Sequence, residues 1–141
     1  MTKRPVRYGI PDLELPLTNG GTLNPGDFAG HQLVVVFLPL DPVLSASEIE
    51  AYECHEAQFS ECDAWLITVG DDTAAACEGK SCMANDPDGD AWTAFAELPG
   101  SGGLNRADGA VFIFGRGGAL QRVLAGPDHA PDVAKEITRR S

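Results

Sequence analysis

Four cysteines carry most of the reactive chemistry this chain could perform. Two of them close the segment Cys77-Glu-Gly-Lys-Ser-Cys82. A thiol reacts as its thiolate, and the cation of Lys80 between the two would favour that form. The segment therefore reads either as a reversible disulfide or as two unlinked thiols in a surface loop. Cys54-His55 and Cys62 could join Cys77 or Cys82 in a zinc site. Structural zinc is held by closely spaced Cys-x-x-Cys pairs, and Cys54 and Cys62 stand too far apart for that. The plainer expectation is Cys62 buried beside Trp65 and Cys54 partly exposed, with no metal and no cofactor. His31 and His129 are isolated in loops, where histidines usually hydrogen-bond or face water. Asp71-Asp72 and the Asp86, Asp88, Asp90 group lack the ligands and closing glutamate of a calcium loop and read as solvated turns. Gly115-Arg-Gly-Gly118 joins two strands and opens no helix, so it is not a phosphate loop.

The elements that must position these residues follow from periodicity. Leu13, Leu15 and Leu17 alternate with polar or proline positions, which predicts a short strand, and Gly20-Gly21 can close a hairpin after it. Leu33 to Leu38 is an unbroken β-branched and aromatic run, the pattern of a strand covered on both faces. Pro39 to Pro42 reads as a loop. A helix is expected from about Ser47 to Ser60, since Ile49, Tyr52 and Phe59 share a face and Ser45-x-x-Glu48 and Ser47-x-x-Glu50 both match a capping box. Ala64 to Val69 reads as a second buried strand, and Asp71 to about Cys77 as a polar loop or the opening of a short helix. Asp86-Pro-Asp-Gly89 is a turn before a helix over 90–98, with Trp92 and Phe95 in its core stripe. Strands are expected at 110–114 and 120–124 around a Gly117-Gly118 turn, and a helix at 132–140, where Lys135, Arg139 and Arg140 suit the negative end. The order is β-β-α-β-α-β-β-α, in one domain spanning residues 1–141, with a right-handed crossover at its centre.

Charge narrows the partners. The formal net charge is −11. An acidic surface repels phosphate backbones and anionic headgroups, so neither nucleic acid nor a membrane is an expected partner. No apolar stretch is long enough to span a bilayer. The opening Met-Thr-Lys-Arg-Pro-Val-Arg-Tyr-Gly carries no apolar run after its basic residues, which leads us to expect a cytoplasmic protein.

Several segments together resemble one family. Tyr8-Gly-Ile-Pro-Asp-Leu-Glu-Leu15 is similar to the peroxiredoxin opening Gly-x-x-Ala-Pro-Asp-Phe-x-Leu. Val34-Val-Val-Phe-Leu-Pro-Leu-Asp41 and Leu44-Ser-Ala-Ser-Glu-Ile-Glu-Ala-Tyr52 resemble the strand, loop and helix of that family's active site, and Phe59 matches the phenylalanine that ends the helix. Asn85-Asp-Pro-Asp-Gly89 and Val111-Phe-Ile-Phe-Gly-Arg-Gly-Gly118 resemble its later loop and hairpin. The likeness, to the alkyl hydroperoxide reductase/thiol-specific antioxidant group, runs from about residue 8 to residue 126. It implies an α/β protein of thioredoxin-like fold, a central mixed β-sheet flanked by helices on both faces.

The resemblance also implies a site, and here the chain departs from it. Peroxiredoxins use Pro-x-x-x-Thr-x-x-Cys with a distant arginine; the helix N-terminus and the arginine lower the cysteine pKa so that a thiolate attacks peroxide. Pro39 is present. Aligning Glu48-Ile49 puts Ser45 at the peroxidatic cysteine position and Pro42 at the threonine; aligning from Pro39 without a gap gives Ala46 and Val43 instead. The arginine position falls on Gly109, with Arg106 and Arg116 near but out of register. A serine hydroxyl stays protonated near neutral pH and has no sulfenic acid to cycle through. The serine is either an engineered replacement of the thiol or a natural divergence, and the loss of threonine and arginine along with the thiol favours divergence of the whole site.

Three functions stay open at this point. A thiol oxidoreductase of peroxiredoxin type would reduce a small peroxide at residue 45, with Cys77 or Cys82 resolving and a thioredoxin-like protein as reductant. A degenerate module would bind a partner without peroxidase activity. A disulfide reductase would work through Cys77 and Cys82 alone. The resemblance allows a homodimer through a sheet edge or a loop face without selecting one.

Overall fold

The structure is a computed structural model that describes residues 10–140 except 12, 17–20, 29, 71–76, 79–80, 87 and 99–102; for Cys77, Glu78 and Ser81 the backbone alone is described. Its centre is β3 (Gln32–Phe37), buried along its whole length as its Val-rich sequence demands. β3 pairs in parallel with β4 (Ala64–Gly70), Val35 opposite Ile67 and Phe37 opposite Val69. Its other side pairs antiparallel with β7 (Ala110–Phe114), which turns through Gly117-Gly118 into β8 (Leu120–Ala125). β4 in turn pairs in parallel with β6 (Ser81–Asn85), and the two-residue β5 (Cys77–Glu78) lies antiparallel on the outer edge of β6. The six strands run in the order β5-β6-β4-β3-β7-β8. A small hairpin of β1 (Leu15–Pro16) and β2 (Thr22–Leu23) matches the turn signal at Gly20-Gly21, although residues 17–20 lie outside the described set.

Helices cover both faces. α1 (Pro42–Glu53), α2 (Glu56–Glu61) and α4 (Ala130–Arg140) pack on the face formed by Val34, Val36, Leu66, Val111 and Ile113. α3 (Asp90–Ala96) packs with the β1–β2 hairpin on the face formed by Val35, Phe37, Ile67, Val69, Phe112 and Phe114. Asp86 starts α3 as the turn motif suggests, its carboxylate accepting from Ala91 N at 3.0 Å and Trp92 N at 2.9 Å. That accounts for the Asp86 part of the acidic cluster as a helix cap. Among the described residues no group of His, Cys, Asp and Glu is arranged to hold a metal, and no helix is long and apolar enough to cross a membrane.

Three expectations change. The helix expected over 47–60 is two helices, because the ladder tightens where His55 N bonds Tyr52 O and restarts with Phe59 N on His55 O. Cys77–Glu78 and Ser81–Asn85, where no strand is expected, pair as β5 and β6; β6 carries little pattern because its inward residues, Cys82 and Ala84, are small and none of its five residues is β-branched. Cys62 is buried, but not beside Trp65. It packs with the α1, α2 and α4 face, its thiol donating to Thr138 Oγ1 at 3.9 Å, whereas Trp65 stacks on Phe28 across the sheet.

α4 is tied down by charge as well as by Val133 and Ile137. The Glu136 carboxylate accepts from Arg139 Nη2 at 2.8 Å and from Arg140 Nε, with Arg122 Nη1 at 3.5 Å. Burial alone would lift the Glu136 carboxyl; the hydrogen bonds and charges of Arg139 and Arg140 outweigh it and hold it below the ordinary carboxylate range. A lowered folded-state pKa stabilises the fold above the ordinary carboxylate range and loses that contribution as pH falls through the lowered value. Glu136→Gln is therefore expected to lose roughly 1 kcal/mol near neutral pH, the gap to the parent closing below about pH 4. Urea unfolding of both chains across that range checks it.

Candidate functional site at the carboxyl end of β3

In an open α/β sheet, ligands gather outside the strand ends where successive connections leave on opposite faces. That point here is the carboxyl end of β3. The chain leaves β3 through α1 and α2 on one face to reach β4, and β6 reaches β7, the other neighbour of β3, through α3 on the opposite face. Pro39 is buried in this exit. The loop before β7 is stitched to it: Leu40 N donates to Ala107 O at 3.0 Å, and the Arg106 guanidinium donates to Leu38 O. The guanidinium carbon lies 5.7 Å from the Phe37 ring centre and 5.8 Å from that of Trp92, so the cation is held between two aromatic faces. Arg106 is thus brought to the site that its position in the sequence kept it from. Gly109, where the resemblance expects arginine, cannot serve: its φ is +81, and a Cβ would stand 2.3 Å from Phe37 O.

α1 begins at Pro42, five residues before the expected start. Pro42 fits the first helical position, which needs no N–H, and Asp41 supplies the cap. Ser45 therefore lies in the first turn, where the alignment on Glu48-Ile49 places the peroxidatic residue; the serine capping boxes are not used. The backbone donors of this turn are all committed. Val43 N and Leu44 N donate to Asp41 Oδ1 at 2.8 and 3.3 Å, and Ser45 N donates to Asp41 O at 2.8 Å. Pro42 has none to give. A carboxylate of the chain itself thus sits where an anion would be held by the helix end. Among the described residues the Ser45 hydroxyl has no hydrogen-bond partner, and so no imidazole or carboxylate bonded to it as a base.

Glu48, which anchored the alignment, has a structural job. Its Oε1 accepts from Asp128 N at 2.8 Å, fastening α1 to the approach of α4. Burial lifts its carboxyl above the ordinary range; the Asp128 N–H bond opposes this, the Asp128 charge adds to it and His129 opposes it. One turn on, the Tyr52 hydroxyl is buried, and burial followed by the Glu48 charge pushes its ionisation well above the usual phenol range.

The cysteines lie elsewhere. Cys82 is buried among Ile67, Ala84 and Phe95, on the face of the sheet opposite α1, so the fold does not bring it to Ser45. It is disulfide-bonded, whereas Cys54 is an exposed and Cys62 a buried free thiol. The β5–β6 ladder sets Cys77 directly opposite Cys82. Cys54 and Cys62, the proposed partners in a metal site, differ in exposure and belong to no metal-holding group among the described residues. His31 bonds Asp63 at 2.7 Å and His129 bonds Ala125 O at 2.7 Å, as lone loop histidines commonly do.

No protein-family model and no curated protein sequence matches this chain. Solved structures do. The bacterioferritin comigratory protein of Xanthomonas campestris, studied for its alkyl peroxide reduction activity, superposes with a TM-score of 0.73 at 18% identity, covering 98% of both chains. The mitochondrial 2-Cys peroxiredoxin of Plasmodium falciparum gives 0.71 at 14% identity, over 96% of this chain and 93% of that one. The exposed lipoprotein thioredoxin Etrx1 of Streptococcus pneumoniae gives 0.64 at 12% identity, over 92% and 99%. The fold is the thioredoxin-like fold that peroxiredoxins share.

Proposed function

On that shared fold, we infer that this chain is a thiol–disulfide protein whose redox chemistry resides in the Cys77–Cys82 pair and not at residue 45. One observation carries the reading: Cys82 is disulfide-bonded, with Cys77 across from it in the ladder and the other two cysteines free. In the reaction, a dithiol donor of the thioredoxin-like class attacks the disulfide through its thiolate. The Cys77–Cys82 S–S bond breaks, both sulfurs end as thiols, and the donor leaves as its own disulfide; two electrons and two protons are transferred. We take the protein to be cytoplasmic, where donors of this class keep protein disulfides in exchange.

Peroxide reduction at residue 45 finds no support in the geometry of α1. Oxygen replaces sulfur, the Asp41 carboxylate fills the helix end, and Gly109 excludes the arginine. The parent chain and Ser45→Cys are both expected to consume hydrogen peroxide at the no-protein rate with dithiothreitol as reductant. Turnover by Ser45→Cys would show that the peroxide seat survives and that only the thiol is missing. For the pair itself, alkylation in denaturant and peptide mass spectrometry are expected to label Cys77 and Cys82 only after dithiothreitol, and Cys54 and Cys62 without it. Labelling of Cys77 and Cys82 in the untreated protein, or their failure to react after reduction, rules out a working disulfide and leaves a binding module.

A further inference from the structure

The large apolar side chains that the described surface leaves exposed are three, and they fall within five residues: Leu40 at 47%, Val43 at 77% and Leu44 at 46% relative exposure. All three sit at the exit of β3 and the first turn of α1, on the crevice described above. Folding gives no reason for them. α1 is held inward by Glu48 and Tyr52, and an exposed β-branched residue adds nothing to a first turn. Exposed apolar groups gathered at one point commonly mark an interaction surface.

The charge around them selects the partner. No lysine or arginine occurs between Arg7 and Lys80, while α1 and α2 carry Glu48, Glu50, Glu53, Glu56 and Glu61. Helical spacing sets Val43, Ser47, Glu50 and Cys54 along one stripe, and all four are exposed. Asp41 and Asp108 are exposed beside Leu40. Arg106, at the same strand exit, is turned inward onto Phe37 and Trp92. An apolar tip on an acidic face is complementary to an apolar segment flanked by positive charge. A second copy would bring acid onto acid, with −11 on each chain, and an anionic membrane or nucleic acid carries the same wrong sign.

We propose that Leu40, Val43 and Leu44, with the acidic stripe of α1, form a docking site for a basic, amphipathic segment of a partner protein. The proposal stands on different elements from the Cys77–Cys82 reading and holds whether or not that pair exchanges. The probe is a fluorescein-labelled synthetic peptide with two leucines at helical spacing flanked by lysines, titrated with the full chain by anisotropy; the same peptide with glutamates for lysines is the counter-probe.

The lysine peptide is expected to bind, more weakly as salt rises, and the glutamate peptide not to bind. The triple variant Leu40→Ser, Val43→Ser, Leu44→Ser keeps every charge and is expected to weaken binding at least tenfold, with an unchanged circular dichroism spectrum. Glu50→Lys with Glu53→Lys should weaken it through charge alone. Absence of binding by the lysine peptide overturns the proposal, as does equal affinity in the triple variant, which would mean mere charge attraction. A parent dimer in sedimentation that the triple variant dissolves would assign the face to a second copy, and binding of the parent to phosphatidylglycerol vesicles that the variant loses would assign it to a membrane; either result replaces the proposal.

Discussion

Gly109→Ala is expected to lower the unfolding free energy by about 3 kcal/mol or more. Two costs combine at this residue. Its φ of +81 is a left-handed conformation that an L side chain adopts only under strain, and its Cβ would meet Phe37 O at 2.3 Å and Pro39 N at 3.0 Å. Both neighbours are backbone at the exit of β3, anchored by the sheet on one side and by the Arg106 and Leu40 hydrogen bonds on the other. They cannot step aside without disturbing the ladder. Gly118, with φ +83 and open space around its Cβ position, is the control, since alanine there meets the strain alone. Urea unfolding should place Gly118→Ala between the parent and Gly109→Ala. Equal losses in the two variants would show that the close approach to β3 costs nothing. An arginine at position 109 would meet the same backbone atoms and is therefore not expected to rebuild a peroxide site.

Phe95→Ala is expected to cost about 3–5 kcal/mol, the usual range for emptying a buried aromatic site. Phe95 is fully buried and is the main anchor of α3. Its ring meets those of Phe37, Phe112 and Phe114 edge-on, with centroids 5.3, 5.1 and 6.1 Å away. These are the rings on which the sheet face is built, so little nearby can collapse into the space left. A seven-residue helix has no stability of its own and stays folded only while docked. The loss should therefore also free Trp92, which shares Arg106 with Phe37, and give a lower midpoint together with altered near-ultraviolet circular dichroism. Phe95→Leu, which refills most of the volume, should lose under about 1.5 kcal/mol. A loss below about 1 kcal/mol for Phe95→Ala would mean that α3 is held by something other than this aromatic cluster.

The sequence carries some of these features more plainly than others. Leu33 to Leu38 announced a doubly covered strand because no other element tolerates so continuous a run of Val, Leu and Phe, and Gly117-Gly118 announced a hairpin because few residues take the turn it needs. The structure puts residue 45 in the first turn of α1, whose start lies five residues before the one that the sequence pattern predicts. The serine boxes and the Asp41-Pro42 pair were competing starts, and only the position at which the chain emerges from the sheet chose between them. The edge pairing of β5 and β6 was missed because small residues carry too little pattern.

Composition and local periodicity by themselves determined the α/β architecture, the acidic surface and the absence of a thiol at residue 45, since each depends on residue type or on neighbours a few positions away. The tertiary structure alone decided that Arg106 reaches the β3 exit, that Gly109 has no room for a side chain, that Asp41 occupies the helix end, and that Cys82 lies on the face away from Ser45. Apart from the Asp41 cap, those facts depend on contacts between distant segments, as with Arg106 and Leu38, 68 residues apart. Such distances are set by how strands register and helices pack, which no stretch of chain encodes on its own.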